Sequence, residues 1–329
     1  MALETLLTAR AALESARGTS LTPTRLIYFT DGSHSQDVAT IRPSEKRASY
    51  IEAFRAYPGI ERNGFQFSGP LTFEQAVWWA NLHVKAVASG TGAGADKTWT
   101  FAPTLTSDDL KSACLQFGYA DSIGATLPAW EVPGCLGEEL TITWAKDETV
   151  KFSSTLMSHK GATQLSAFTG SLTDTTTIDA LGTGTVITVD TTTIGTTADA
   201  NILDAEFTLT NGYTYLDTLN GTATATSILR PNPRSWSLAV TRYYANDTEL
   251  DLWLTKTPRK IRIKTTGPII PTTAVANTIT LDLYGVWDTF EKSEVDGLGV
   301  AKMTLLPIYD ATATNDMSLV IVNNLATIT

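Results

Sequence analysis

General acid–base chemistry and metal binding both draw first on histidine, and this 329-residue chain has three: His34, His83 and His159. They fall in a turn-like DGSH, a tryptophan-rich helical stretch and a strand end, with no shared ligand spacing. The carboxylate pairs Asp108/Asp109, Glu138/Glu139 and Asp147/Glu148 could in principle cleave a glycoside, but adjacent acids at strand ends read as solvated turns. Asp296, with Gly297 and Gly299, lacks the alternating oxygen ligands of a calcium loop. The glycine-rich GTGAGAD follows a helix, whereas a phosphate cradle precedes one. No nucleophile elbow, HExxH, Walker or dinucleotide motif occurs. Cys114 and Cys135 are too few for a disulfide framework or a metal site and read as small buried side chains. The chain offers no catalytic, cofactor-binding or metal site, and at this length that favours a structural protein over an enzyme.

The elements that would position any site come from a chain long enough for two domains. Its net charge of -10 opposes adhesion to nucleic acid and to anionic membrane, which both need a positive footprint. No apolar run is long enough to span a bilayer, so no membrane insertion is expected. The opening MALETLLTARAALESARG spreads charges through its apolar positions, unlike a signal peptide, and implies a protein that stays in the cytoplasm where it is made.

The pattern is mainly β. Residues 1–20 read as a helical arm, with Leu3, Leu6 and Leu7 on its apolar side and Gly18 as its cap. A first β unit spans 21–165 and contains a helix at 73–88; a second spans 166–329 with a short helix at 247–256. In ELTITW, Leu140, Ile142 and Trp144 alternate with threonines, the mark of a half-buried strand. The threonine-rich stretch after His159 holds Val186, Ile187 and Val189, a strand within a loop-rich junction. Strand, capped helix with tryptophan, then strand occurs around Trp78 and again around Trp253, which suggests two similar units in one chain.

The first helix raises a packing question. Thr72 and Gln75 form a capping box. At about 100° per residue, Phe73, Val77, Ala80 and Val84 make one stripe, for the helix's own sheet. Leu71, Trp78 and Leu82, with Trp79 at the flank, make an opposed stripe. Two stripes mean cover on both sides, from the same chain or from a neighbouring subunit.

ERNGFQFSGPLTFEQAVWWANLHVKAV, KTWTFAPTLTSDDLKSACLQFGYADS, EVPGC, TKTPRKIRIKTTGP, LYGVWDTFE and the closing DATATNDMSLVIVNNLATIT together resemble the major tail protein, or tail tube protein, of long-tailed bacteriophages. The resemblance runs from about Thr24 to the C-terminus. It implies β-sandwich units flanked by helices and assembled as stacked rings into a hollow conduit for the genome, in the virion tail, built in the host cytoplasm. The implied partners are further copies of the chain, tail initiator, terminator and tape-measure proteins, and DNA passing without specific binding. With two units per chain, a trimer would act as a pseudo-hexamer; the alternative is a hexamer of one enlarged unit. An acidic lumen would let DNA slide, so carboxylates should outnumber lysine and arginine on the inner wall. The alternative function is a β-sandwich module that binds a receptor or carbohydrate and does not polymerise.

Overall fold

A computed structural model describes residues 7–42, 55–106, 109–119, 129–170, 172, 177–218, 223–295 and 297–328. The architecture is mainly β, with large antiparallel sheets and two helices among the described residues. In chain order the first part contains β1 (Leu7–Leu13), β2 (Arg25–Ile27), β3 (Asp31–Ile41), β4 (Tyr57–Pro70), α1 (Phe73–His83), β5 (Lys97–Phe101), β6 (Ala113–Tyr119), β7 (Ala129–Ala145), β8 (Lys151–Ser158) and β9 (Thr163–Leu165). Then come β10 (Thr185–Asp190), β11 (Ile202–Thr210), β12 (Thr214–Leu216), β13 (Ser227–Leu229), β14 (Ser235–Tyr243), α2 (Thr248–Leu254), β15 (Arg259–Ile269), β16 (Ala276–Val295), β17 (Leu298–Pro307) and β18 (Met317–Asn323).

Two long strands organise the molecule, because each leaves one sheet and enters another. The first half of β7 pairs with β6 and β9, and its second half with β8 and β11. The first half of β16 pairs with β15 and β18, and its second half with β17. The result is a central sheet in the order β3–β4–β8–β7–β11–β14–β17–β16, flanked by an outer sheet β2–β1–β6–β7–β9 and another β10–β15–β16–β18–β5. All of these pairings are antiparallel, and the buried sides of the sheets share one apolar core.

The pairing pattern recurs along the chain. β3 pairs β4, β4 pairs β8, β8 pairs the second half of β7, β6 pairs its first half, and β1 pairs β6. Likewise β11 pairs β14, β14 pairs β17, β17 pairs the second half of β16, β15 pairs its first half, and β10 pairs β15. The two long strands also share one ladder slip. The β7–β8 ladder slips between Gly137 and Glu139, and the β16–β17 ladder between Trp287 and Thr289. α1 follows β4 and α2 follows β14.

Several local expectations are corrected. Residues 7–13 form a strand and not part of a helical arm: β1 is laddered on both sides, to β2 and β6, and pairing overrides the helix preference of its alanines. Leu3 and Leu6 lie outside the described residues. The DGSH stretch starts β3 instead of making a turn. α1 stops at His83, five residues short of the expected end, where the Val84 amide closes the last turn on Ala80. α2 begins at Thr248, and Glu249 turns inward instead of boxing the cap. ELTITW is the second half of a longer strand, β7, which already begins at Ala129.

Candidate assembly surfaces

The helix singled out by its tryptophans lies wholly inside the chain. Every residue of α1 is buried, Trp78 at 2% exposure and Leu82 at 0%, and Leu71 and Trp79 are buried with them. α1 packs between the central sheet at β7 and the outer-sheet strands β5, β16 and β18. The side laid on the central sheet is not the Val77–Ala80–Val84 stripe. Trp79 meets Phe67 and Phe152 at ring-centroid distances of 6.1 and 4.9 Å, and His83 Nε2 lies 2.8 Å from Ser154 Oγ. Trp78 stands edge-on to Trp79 at 4.6 Å. Leu71, Trp78, Trp79 and Leu82 are thus all buried, and the same chain covers them. Leu7 lies on β1, partly buried against the core.

Of the polar groups that α1 carries into the core, Asn81 and Glu74 are partnered, whereas Trp78 Nε1, Trp79 Nε1 and His83 Nδ1 have no hydrogen-bond partner among the described residues. Asn81 donates to Val77 O at 3.0 Å and accepts from Val87 N at 2.7 Å. Glu74 accepts from Ile178 N at 3.0 Å. Burial pushes His83 down to about 3 and His159 to about 4, so both rings are neutral near neutral pH. Burial also raises the Cys114 thiol to about 12 and lifts Cys135 well above its ordinary value; both cysteines are free. A thiol so hard to ionise is a poor nucleophile. Among the described residues no group of three histidine, cysteine or acidic side chains could hold a metal. No described helix is long and apolar enough to cross a membrane.

The seam between the two parts is a ladder. β7 and β11 pair over seven rungs, from Asp204↔Ala145 to Thr210↔Glu139. On its inner side Leu140, Ile142 and Trp144 meet Leu209, Phe207 and Ala205, all buried. Asn211 closes one end: its side chain donates to Gly137 O at 2.9 Å and His83 O at 3.0 Å, and its amide donates to Glu138 O at 2.8 Å. Gly137 must stay bare there, since a Cβ would lie 2.6 Å from Leu82 O.

The two ends of the central sheet are open. Among the described residues β3 pairs only with β4, and the second half of β16 only with β17. At the start of that half, Asp288 O and Trp287 O accept from Trp253 Nε1 at 2.8 Å and Lys256 Nζ at 3.0 Å on the α2 side. From Thr289 onward no further strand among the described residues pairs with this edge. α2 is held over β16 by Glu249, which accepts from Trp287 Nε1 and pairs with Arg259, each at 2.7 Å. Its last residue, Leu254, is 63% exposed.

The outer face of the central sheet is largely polar. Gln66, Ser153, Thr141, Thr143, Thr208, Ser237 and Thr304 alternate with buried neighbours, Ser33 and Ser35 carry the face onto β3, and Ala239, Leu306 and Val295 are its exposed apolar members. Its charged members are the acids Asp31, Asp37, Glu139, Asp204, Glu206 and Glu291, against Arg62, Lys151 and Lys302.

Sequence reasoning missed the open edges, because nothing local to β3 or β16 says whether a strand has one neighbour or two. The usable signal was the long run of strand residues through LYGVWDTFEKSEV with few inward apolar positions near its end. No curated protein matches the chain. The family model of the phage tail tube protein matches residues 7–301, most of the chain, and the chain belongs to that family.

Proposed function

We propose that the chain is the repeating subunit of the tube itself, polymerising as stacked rings into a hollow conduit through which the phage genome is delivered. Its role is structural and non-enzymatic. The observation that carries this reading is the eight-stranded central sheet of a tail tube family member, backed by the core on one face and largely polar on the other. Such a face suits the wall of a water-filled bore.

The recurring pairing pattern supports two equivalent units, meeting in the segment 166–184. Three chains then supply six units, a pseudo-hexamer. Three eight-stranded sheets at about 4.8 Å per strand close a wall roughly 37 Å across between backbones, before strand tilt widens it. Acids outnumber bases on the polar face, as a conduit that must not retain phosphate requires. Assembly takes place in the host cytoplasm, on tail initiator and tape-measure proteins, and ends at a terminator. Negative-stain microscopy of the purified chain, alone and with an initiator complex, should show rings or tubes with an open bore; particles that stay single under every condition would overturn the proposal.

A further inference from the structure

Resting on that reading, we infer which surfaces join one copy to the next: the open edge of β3 at residues 31–37 pairs antiparallel with the open edge of β16 at residues 289–295 of the adjacent copy. The argument is the molecule's internal symmetry. β11 holds in the second part the place β3 holds in the first: Asp31 pairs Ser68 as Asp204 pairs Thr241, and Ser33 pairs Gln66 as Glu206 pairs Ala239. β16 likewise repeats β7 around its ladder slip, Gly137 and Glu139 corresponding to Trp287 and Thr289. Inside the chain, β11 pairs the second half of β7. The two edges left open are the equivalents of that same pair, one at each end of the central sheet. An interface using different patches at its two sides is heterologous and closes a ring when the rotation allows.

The internal seam also fixes the register. Transferring its rungs places Asp31 opposite Val295, Ser33 opposite Ser293, Ser35 opposite Glu291 and Asp37 opposite Thr289 on the polar face. On the other face Gly32, His34 and Gln36 meet Glu294, Lys292 and Phe290. No two like charges face each other directly, which a wrong register would not guarantee. Both edges are long and unprotected by proline or bulge over the paired residues, the kind a soluble chain normally blunts unless a partner covers it. α2 adds a second sign. α1 at the internal seam is buried on all sides, while α2 beside the open edge exposes Leu254.

The test is a cysteine pair across the inferred rungs, S33C with S293C in one chain, assembled and then mildly oxidised. Residues opposite in an antiparallel ladder lie within disulfide reach. Covalent dimers and trimers that vanish on reduction are expected on a denaturing gel, with none from S33C combined with K292C, whose side chain points to the other face. Because cysteine could disturb folding, hydrogen exchange on the unaltered chain gives a second reading: amides in 31–37 and 289–295 should slow at least tenfold on assembly. Rings that form without either result overturn the edge pairing while leaving the tube reading standing. A chain that stays single under every condition overturns both.

Discussion

His83 is the residue whose chemistry is most altered by its surroundings. Buried between α1 and β8 and bonded to Ser154, it is pushed down to about 3 by loss of hydration. The unfolded chain takes up that proton near pH 6.5, the folded one only near 3, so between these values unfolding binds a proton. Stability is therefore full above about pH 6.5 and falls by about 1.4 kcal/mol per pH unit below it until the folded group titrates. His159 acts in the same direction. His83→Gln, which keeps a polar atom toward Ser154, should flatten the fall in urea-unfolding free energy between about pH 6.5 and 4. An unchanged slope would place the acid sensitivity elsewhere. Trp78 was legible as a residue needing cover on a second side, but its cover was not legible. Helical periodicity gives directions around an axis and says nothing of which distant strand arrives there. With that cover now found in the same chain, Trp78→Ala should cost about 3–5 kcal/mol of folding stability by cavity formation. Assembly should then be reduced only as far as folding is. Rings lost from a chain of unaltered stability would contradict this.

Strands and helices were unequally legible. Alternation in ELTITW gave β7's second half, because one face of that strand is core and the other wet. The alternation of Leu7, Ala9 and Ala11 with Thr8 and Arg10 in LTARAAL is too short to outweigh the helical spacing of the leucines around it, and the partners β2 and β6 fix the strand. The repeat of strand, helix and strand around Trp78 and Trp253 was visible, yet the two helices differ in their burial. α1 is core on every side; α2 is fastened by buried Glu249 to Arg259 and Trp287 and leaves its end in solvent. Leu254→Ser removes exposed apolar surface and no intrachain contact of note, so it should change unfolding free energy by no more than about 0.5 kcal/mol. It should still raise the concentration needed for assembly, read by light scattering or sedimentation. Normal assembly by this variant would show that α2 stays uncovered between copies.

At the scale of the whole molecule, the mainly β architecture and the family could be read from the sequence, whereas the assembly surfaces could not, since an open edge is a property of the sheet and not of any segment. The polar face of the central sheet makes a prediction of its own. Replacing Asp204, Glu206 and Glu139 with lysine should leave tubes able to form but make them retain duplex DNA at low salt, with binding that falls steeply as salt rises. Tubes that ignore DNA after all three changes would mean this face does not line the bore. The central claim, that two equivalent units per chain build the ring, meets its most direct test in the mass of one isolated ring by native mass spectrometry. The expected value is three times the 35.4 kDa chain. A ring of six chains would contradict it, since each chain would then occupy one position around the bore and not two.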